Sequence, residues 1–420
     1  MLKILAYSAF ALTVSLSVTR PRLGRGWQIG PAQAATGSVL LLLVGGVVDV
    51  TDIASAAGTL WRPFITIVSI MITTAAAHRL GVLSRVGEMI FSRADSSVTS
   101  LFSAVFFLSV LTSSVLNNDA AVLLLTPLVL ALVDDRYPDE PRLRMPFAFA
   151  VFTAVGVAPF VVSNPMNMIV ASRANLNFNE YAARMLPIAI IGWLIAFVIL
   201  RVLFASQLKV SSPGARRDRS PTGLDATQRW MLVLLLAVVG SYPIVASIDG
   251  DAIWMVSAAG AVLAVLLASR LGGVKPGELL VRGVAWPILA FLLAVFVLGI
   301  GLRNVGFVDQ LAAVYQNASL LVIGTTAALG SAALNNHPMA IINLLALEST
   351  PGAGQREILA VLVGGDLGPR LLPIGSLAGL LWLDACRRHR VEISLSQFVK
   401  VGILVTVPTL AASLLILQLW

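Results

Sequence analysis

Two long apolar runs, 97–133 and 318–348, are each interrupted half-way by a pair of asparagines: Leu116-Asn117-Asn118-Asp119 in the first and Leu334-Asn335-Asn336-His337 in the second. Each pair follows a serine by a few residues, Ser113 and Ser331. Each run is long enough for two helices, and the polar break forbids one continuous span. Backbone that leaves helical geometry at membrane depth has unpaired N–H and C=O groups, so it must line a protein-enclosed or watery cavity. Both runs are therefore expected to be re-entrant helical hairpins with the asparagines at their tips. The recurrence predicts two related halves.

The membrane setting follows from composition. Hydrophobic residues make up 58% of the chain, charged residues 12%, and mean hydropathy is +0.90, far from the balance of a soluble domain. Ten further stretches approach the roughly 20 apolar residues that a spanning helix needs: 2–19, 38–56, 60–78, 146–172, 185–206, 230–248, 252–269, 284–302, 357–385 and 399–419. The expected fold is an all-α polytopic membrane protein of two inverted five-span repeats, each with one re-entrant helical hairpin and one broken helix. The first repeat is 1–206 and the second 229–420, joined by a cytoplasmic linker, 207–228, that holds Ser211-Ser212-Pro213-Gly214 and Arg216, Arg217 and Arg219. Lys3, the apolar run after it and Ala32-Gln33-Ala34-Ala35 are ingredients of a secretory signal, but Arg20, Arg22 and Arg25 stand where a cleavage region is uncharged. A retained first helix is expected.

Lys and Arg near span ends favour the cytoplasmic side. With each hairpin returning to the side it entered from, alternate connections hold most of the 29 basic residues, among them Arg79, Arg85, Arg136, Arg142, Lys209, Arg270, Lys275, Arg387 and Arg388. The other connections hold few, such as Arg173, Arg303 and Arg356, beside Asp249, Asp309 and Glu357. The basic loops are thus expected in the cytoplasm and both termini outside. The 97–133 hairpin then enters from the cytoplasm and the 318–348 hairpin from outside, which makes the halves inverted. The net charge of +8 is accounted for by this topology and by anionic headgroups; it does not point to nucleic acid.

Inverted repeats with interrupted helices at the midplane are a mark of secondary transporters. Pro165 breaks the first such helix at Ser163-Asn164-Pro165-Met166-Asn167, because it lacks an N–H and disfavours helix at the residue before it. The second reads Gly364-Gly365-Asp366-Leu367-Gly368-Pro369, then Pro373-Ile374-Gly375-Ser376. Expected to hold a small, multiply hydrogen-bonding solute are Asn117, Asn118, Ser163, Asn164, Asn167, Asn335, Asn336, Gly365 and Ser376. Asp119 and Asp366 have two readings: helix caps or partners for an arginine such as Arg370, and proton or cation carriers, the default for intramembrane carboxylates. His337 is a third candidate for proton coupling, since its reference pKa lies near neutrality. An adhesive role for one buried asparagine is ordinary in membrane helices; a duplicated pair beside broken helices favours a solute site.

These residues carry a resemblance. The run from Asn118 to Pro127, then Val162-Ser163-Asn164-Pro165-Met166-Asn167-Met168-Ile169-Val170, and above all the run from Gly365 through Asp366-Leu367-Gly368-Pro369-Arg370 to Trp382, resemble the arsenite/antimonite efflux permeases of the ion transporter superfamily. The resemblance covers most of the chain and is weakest over 1–35 and the linker. It implies a cytoplasmic (inner) membrane protein that exports arsenite or antimonite, either in exchange for protons or as the membrane subunit of a separate arsenite-stimulated ATPase. His337 is not part of the family pattern.

The chain's own chemistry bears on that expectation. Trivalent arsenic binds best to three thiolates, yet Cys386 is the single cysteine, so one chain holds no thiolate trap. Neutral arsenous acid can instead hydrogen-bond to the asparagines and to free backbone groups. No Gly-x-x-x-x-Gly-Lys-Ser/Thr loop occurs, so work must come from an ion gradient or a partner. No enzyme activity, cofactor or metal is expected, with His78, His337 and His389 dispersed. The alternative is a sodium/dicarboxylate or sodium/proton transporter of the same architecture; Leu-Asn-Asn and Ser-Asn-Pro at the breaks count against a dicarboxylate.

Overall fold

The computed structural model describes residues 1–23, 27–93, 97–116, 118–209, 223–250 and 252–420; for Val18, Arg22, Leu23, Trp27, Gln28, Ser92, Arg93, Asp119, Ala120 and Leu377 it describes the backbone alone. Apart from a two-residue antiparallel pairing of Arg22–Leu23 with Trp27–Gln28, the regular structure is helical. The first half comprises α1 (Leu2–Thr19), α2 (Pro31–Val44), α3 (Val50–Arg79), α4 (Val82–Arg93), α5 (Val98–Val115), α6 (Asn118–Arg136), α7 (Arg144–Ala154), α8 (Pro165–Arg173) and α9 (Phe178–Leu203). The second comprises α10 (Ala226–Ile248), α11 (Ile253–Gly272), α12 (Pro276–Arg282), α13 (Trp286–Asn304), α14 (Phe307–Tyr315), α15 (Leu320–Leu334), α16 (Asn336–Glu348), α17 (Gln355–Leu367), α18 (Leu377–Arg388) and α19 (Leu395–Gln418). Among the described residues, 7 helical segments are long and apolar enough to cross a membrane.

The order of elements recurs. Two helices, a long helix followed by a short one, a helical hairpin, a broken helix and a long closing helix occur first as α1 to α9 and again from α10 to α19, with α12 inserted. The hairpins are α5–α6 and α15–α16. At 1.5 Å per residue α15 and α16 are about 20–22 Å long, short of a core about 30 Å thick, whereas α5 and α6 reach about 27–28 Å.

One expected boundary is wrong. The stretches 38–56 and 60–78 divide instead at 45–49: α2 ends at Val44, Gly46 takes a positive φ of 69° that a side-chain-bearing residue resists, and α3 runs unbroken through Pro63. The turn is fixed by Asp49, which caps α3 by accepting from Asp52 N–H at 2.9 Å while Asp52 reaches back to Asp49 N–H at 3.1 Å.

The helices sort by their place in the recurring order and not by half. One layer is built from α1, α2, α3, α10, α11 and α13; the other holds both hairpins, both broken helices, α9 and α19. They meet where α13 and α14 pack on α16, α3 on α8, α9 on α10 and α4 on α5. In the second layer Trp382 of α18 stacks on Phe152 of α7, with ring centroids 4.5 Å apart, and donates from Nε1 to Ala148 O at 3.2 Å. The two broken helices are thereby joined by a buried aromatic and its one polar atom.

Side-chain bonds tie distant connections together in two sets. On one face Arg79 pairs with Glu278 at 2.7 Å, Gln228 Nε2 donates to Leu80 O at 3.0 Å, and Arg136 Nη2 donates to Phe91 O at 2.7 Å. On the other, Arg173 pairs with Glu348 at 2.7 Å, Asn304 Nδ2 donates to Val47 O at 3.0 Å, and Gln355 Nε2 donates to Ala174 O at 2.9 Å. The first set joins the basic connections, the second the others.

Candidate functional site

Both broken helices restart on the same backbone geometry. Asn164 (φ −149°, ψ 137°) precedes α8, and Ser376 (φ −149°, ψ 154°) precedes α18. Each caps its half-helix with its own side chain: Asn164 Oδ1 accepts from Met166 N–H at 3.1 Å, and Ser376 Oγ accepts from Gly379 N–H at 2.9 Å. Pro165 stands at the first helical position, where its missing N–H costs nothing. The second break begins later than expected. Gly364 and Gly365 are still helical in α17, and the chain departs only at Gly368, through short 3₁₀ turns at Gly368–Arg370 and Pro373–Gly375. The early glycines serve packing: a Cβ on Gly364 would lie 2.1 Å from Gly324 O, and one on Gly368 2.2 Å from Ala328 O, so α17 seats directly on the backbone of α15.

The side chains converge between the breaks. Asn164 Nδ2 donates to Asp366 Oδ1 at 3.4 Å, a bond between the two halves of the chain. Ser163 Oγ donates to Ser114 O near the tip of the first hairpin. Gly365 leaves space beside Ser331 of the second hairpin: a Cβ there would lie 3.8 Å from both Ser331 Oγ and Met166 Cε. Asn167, fully buried, donates weakly to Phe160 O at 3.5 Å. Arg370 reaches across from the second break and donates through Nη2 to Thr153 O and, at 3.0 Å, to Val155 O, placing a cation on the C-terminal carbonyls of α7. Tyr181 OH holds the extended stretch by donating to Ala158 O at 3.2 Å.

Several buried atoms in this cluster have no hydrogen-bond partner: Asn167 Oδ1, Ser331 Oγ, Asp366 Oδ2, and Arg370 Nε and Nη1; Asn336 Oδ1 at the second hairpin tip is likewise unpaired. A buried polar group left unpaired costs about 1–3 kcal/mol, so this accumulation sets the region apart from the apolar packing around it. At the hairpin tips, Thr112, Ser113 and Ser114 spend their hydroxyls on carbonyls of their own helix. Asn335 accepts from His337 N–H at 3.3 Å and takes φ 79°, ψ 145°, a conformation that costs a residue with a side chain about 1–3 kcal/mol. Asn118 is buried at the start of α6; Asn117 and the side chain of Asp119 lie outside the described residues.

His337 is not brought to Asp366. Its ring lies 6.3 Å from that of Phe291 on α13 and lines a separate small cavity. Sequence reasoning missed Tyr181, and it took Arg370 only as a carboxylate partner, not as a cap on the opposite half-helix. A cavity of about 1070 Å³ lies between α3, α8, α9 and the α10–α11 connection and reaches Val161 and Met168 on the flank of the first break.

Two interrupted helices thus face each other across an Asn–Asp bond inside a helical bundle, and comparison with known proteins decides its kind. A family model described as arsenical pump membrane protein matches residues 5–420. The chain belongs to the arsenical pump membrane protein family. An arsenical pump membrane protein of Escherichia coli is 30% identical over 432 residues, covering 99% of this chain and 98% of that protein. One of Yersinia enterocolitica is 28% identical with the same coverage. Among solved structures, the YdaH transporter of Alcanivorax borkumensis matches with a TM-score of 0.60 at 15% identity, covering 100% of this chain and 97% of that one. MtrF of Neisseria gonorrhoeae matches with a TM-score of 0.61 at 13% identity, covering 100% and 95%. Membership of the arsenical pump family makes this chain a membrane transporter and not an enzyme, and the two solved structures show that its fold is a transporter fold.

Proposed function

We propose that this arsenical pump family member exports trivalent arsenic and antimony as neutral hydroxides, taking them from the cytoplasm and exchanging them for protons. The observation that carries this reading is the Asn164–Asp366 bond between the two breaks, set among unpaired buried oxygens, Asn167 Oδ1, Ser331 Oγ and Asp366 Oδ2, and the unpaired Nε and Nη1 of Arg370. A solute with three O–H donors satisfies such a set. Cys386, the one cysteine, is buried in the Trp382 cluster, so arsenic is bound through oxygen and released readily, as a site that must let go requires.

In this reading the two repeats are inverted, the basic connections face the cytoplasm, and both termini face out. Asp366 carries the exchanged proton, with Asp119 as its counterpart in the first hairpin. Asn164, Asn167, Asn336 and the backbone at Gly365 contact the solute, while Ser163 and Ser376 hold the half-helices in place. The 1070 Å³ cavity beside Val161 and Met168 is the vestibule on the outer face.

The test is arsenite uptake into inside-out vesicles containing this protein alone, with and without an imposed proton gradient. Gradient-dependent uptake is expected. Uptake that ignores the gradient removes proton exchange, and uptake only when an arsenite-stimulated ATPase is added makes the chain the membrane subunit of a two-part pump.

A further inference from the structure

Apart from the Asp366 cluster, a second group of buried polar atoms lies unused. Ser17 Oγ of α1 and His337 Nε2 of the second hairpin are both buried and unpartnered, and both residues line one cavity of about 30 Å³. Its walls are otherwise largely apolar, with Val14, Ile288, Phe291, Pro338, Ile374 and Leu380. Arg20 is the one charged lining residue, and the Asp384 carboxylate acts on it. Thr13, also on the lining, already donates to Ala9 O. A space this size holds a water, and a water needs two or more polar partners to stay. Ser17 and His337 supply them from opposite sides of the gap between the layers.

The hairpin tip is the partition between this cavity and the solute cluster. Ser331 on α15 faces Gly365, while His337, six residues on, faces α1 and α13. Between them stands Asn335 with its positive φ, a backbone state held only while the tip is packed on both sides. The cavity between the tip and the first layer is mostly apolar, and Ser17 and His337 carry its buried, unpartnered neutral polar atoms.

We infer that His337 is a positioning residue for a gate: its Nε2 and Ser17 Oγ share one bound water, which seats the tip of the second hairpin on α1 and must be broken for solute to pass between the layers. The gate does not depend on which solute is carried, though one of its two readouts rests on the transport reading above.

The test uses the full chain with Ser17→Cys, which makes a Cys–His pair able to bind Cd²⁺ through soft and imidazole ligands. Micromolar Cd²⁺ is expected to lower arsenite uptake about tenfold, reversibly with chelator, and to have no effect on Ser17→Cys/His337→Gln. Independently of transport, the Ser17→Cys thiol is expected to react slowly with a maleimide, about tenfold faster when His337→Ala unseats the tip, and slowly again in His337→Gln, whose amide can hold the water. Equal maleimide rates in all three backgrounds, or equal Cd²⁺ effects with and without the imidazole, overturn the inference. If the unsubstituted chain shows no uptake at all, the transport reading fails while the maleimide rates still decide the gate.

Discussion

The two broken helices share a backbone and differ in chemistry. Asn164 and Ser376 adopt the same φ, cap their half-helices in the same way and sit at matching places in the element order. Around Asn164 the first break offers neutral groups, the amides of Asn164 and Asn167 and the hydroxyl of Ser163. The second offers a carboxylate and a guanidinium within one turn, Asp366 and Arg370. The difference teaches that one backbone geometry is reused at both breaks while the buried charges Asp366 and Arg370 stand at the second. The two breaks are coupled through the Asn164–Asp366 bond and the grip of Arg370 on Thr153 and Val155.

The comparison breaks hardest at Arg370. Arg370→Gln strips the cation from the C-terminus of α7 and leaves Asp366 without its nearby positive charge. Removing one member of a buried charged group costs about 3–5 kcal/mol, so this variant is expected to show the largest drop in thermal midpoint in detergent, with Arg370→Lys recovering part of it. Asn164→Ala comes next: losing the cap costs about 1 kcal/mol of stability, while uptake falls at least about tenfold, equivalent to 1.4 kcal/mol, because the bridge to Asp366 is lost as well. Ser376→Ala removes an equivalent cap, again about 1 kcal/mol, and is expected to lower uptake less than Asn164→Ala does. Equal uptake losses would make both residues mere caps.

The smallest effect lies outside the site. Asp49 is held below the usual carboxylate range by the Thr51 hydroxyl and the Asp52 N–H. A carboxylate depressed in the folded state stabilises above its unfolded pKa and loses that contribution as pH falls through the folded value. Asp49→Asn is therefore expected to lower the thermal midpoint slightly at neutral pH and to match the unsubstituted chain only at a pH below the depressed folded value, under the usual carboxylate range.

What could be read from sequence was whatever changes backbone type locally. Pro165 after Asn164 and the polar interruptions of two apolar runs announce their breaks through missing N–H groups and unpaired amides, and the structure puts helix ends there. The boundary near residue 45 was hidden because residues 38–78 are apolar on both sides of the turn, and only the Asp49–Asp52 cap marks it. Gly364 and Gly365 looked like breakers, but their small size serves the close seat of α17 on α15, a tertiary fact with no local signature. The reach of Arg370 to α7 and of Tyr181 to Ala158 likewise depends on which helices neighbour each other. The side that His337 faces was hidden for a related reason: its place at the tip is legible, its direction is not.

The most direct test of the account is the proton-gradient-driven arsenite uptake of Asp366→Asn compared with the unsubstituted chain, in inside-out vesicles holding equal amounts of folded protein. The asparagine keeps the shape and an acceptor for Asn164 but cannot exchange a proton. The account predicts that gradient-driven uptake disappears in this variant. Gradient-driven uptake at the unsubstituted rate would contradict it and remove Asp366 from the coupling.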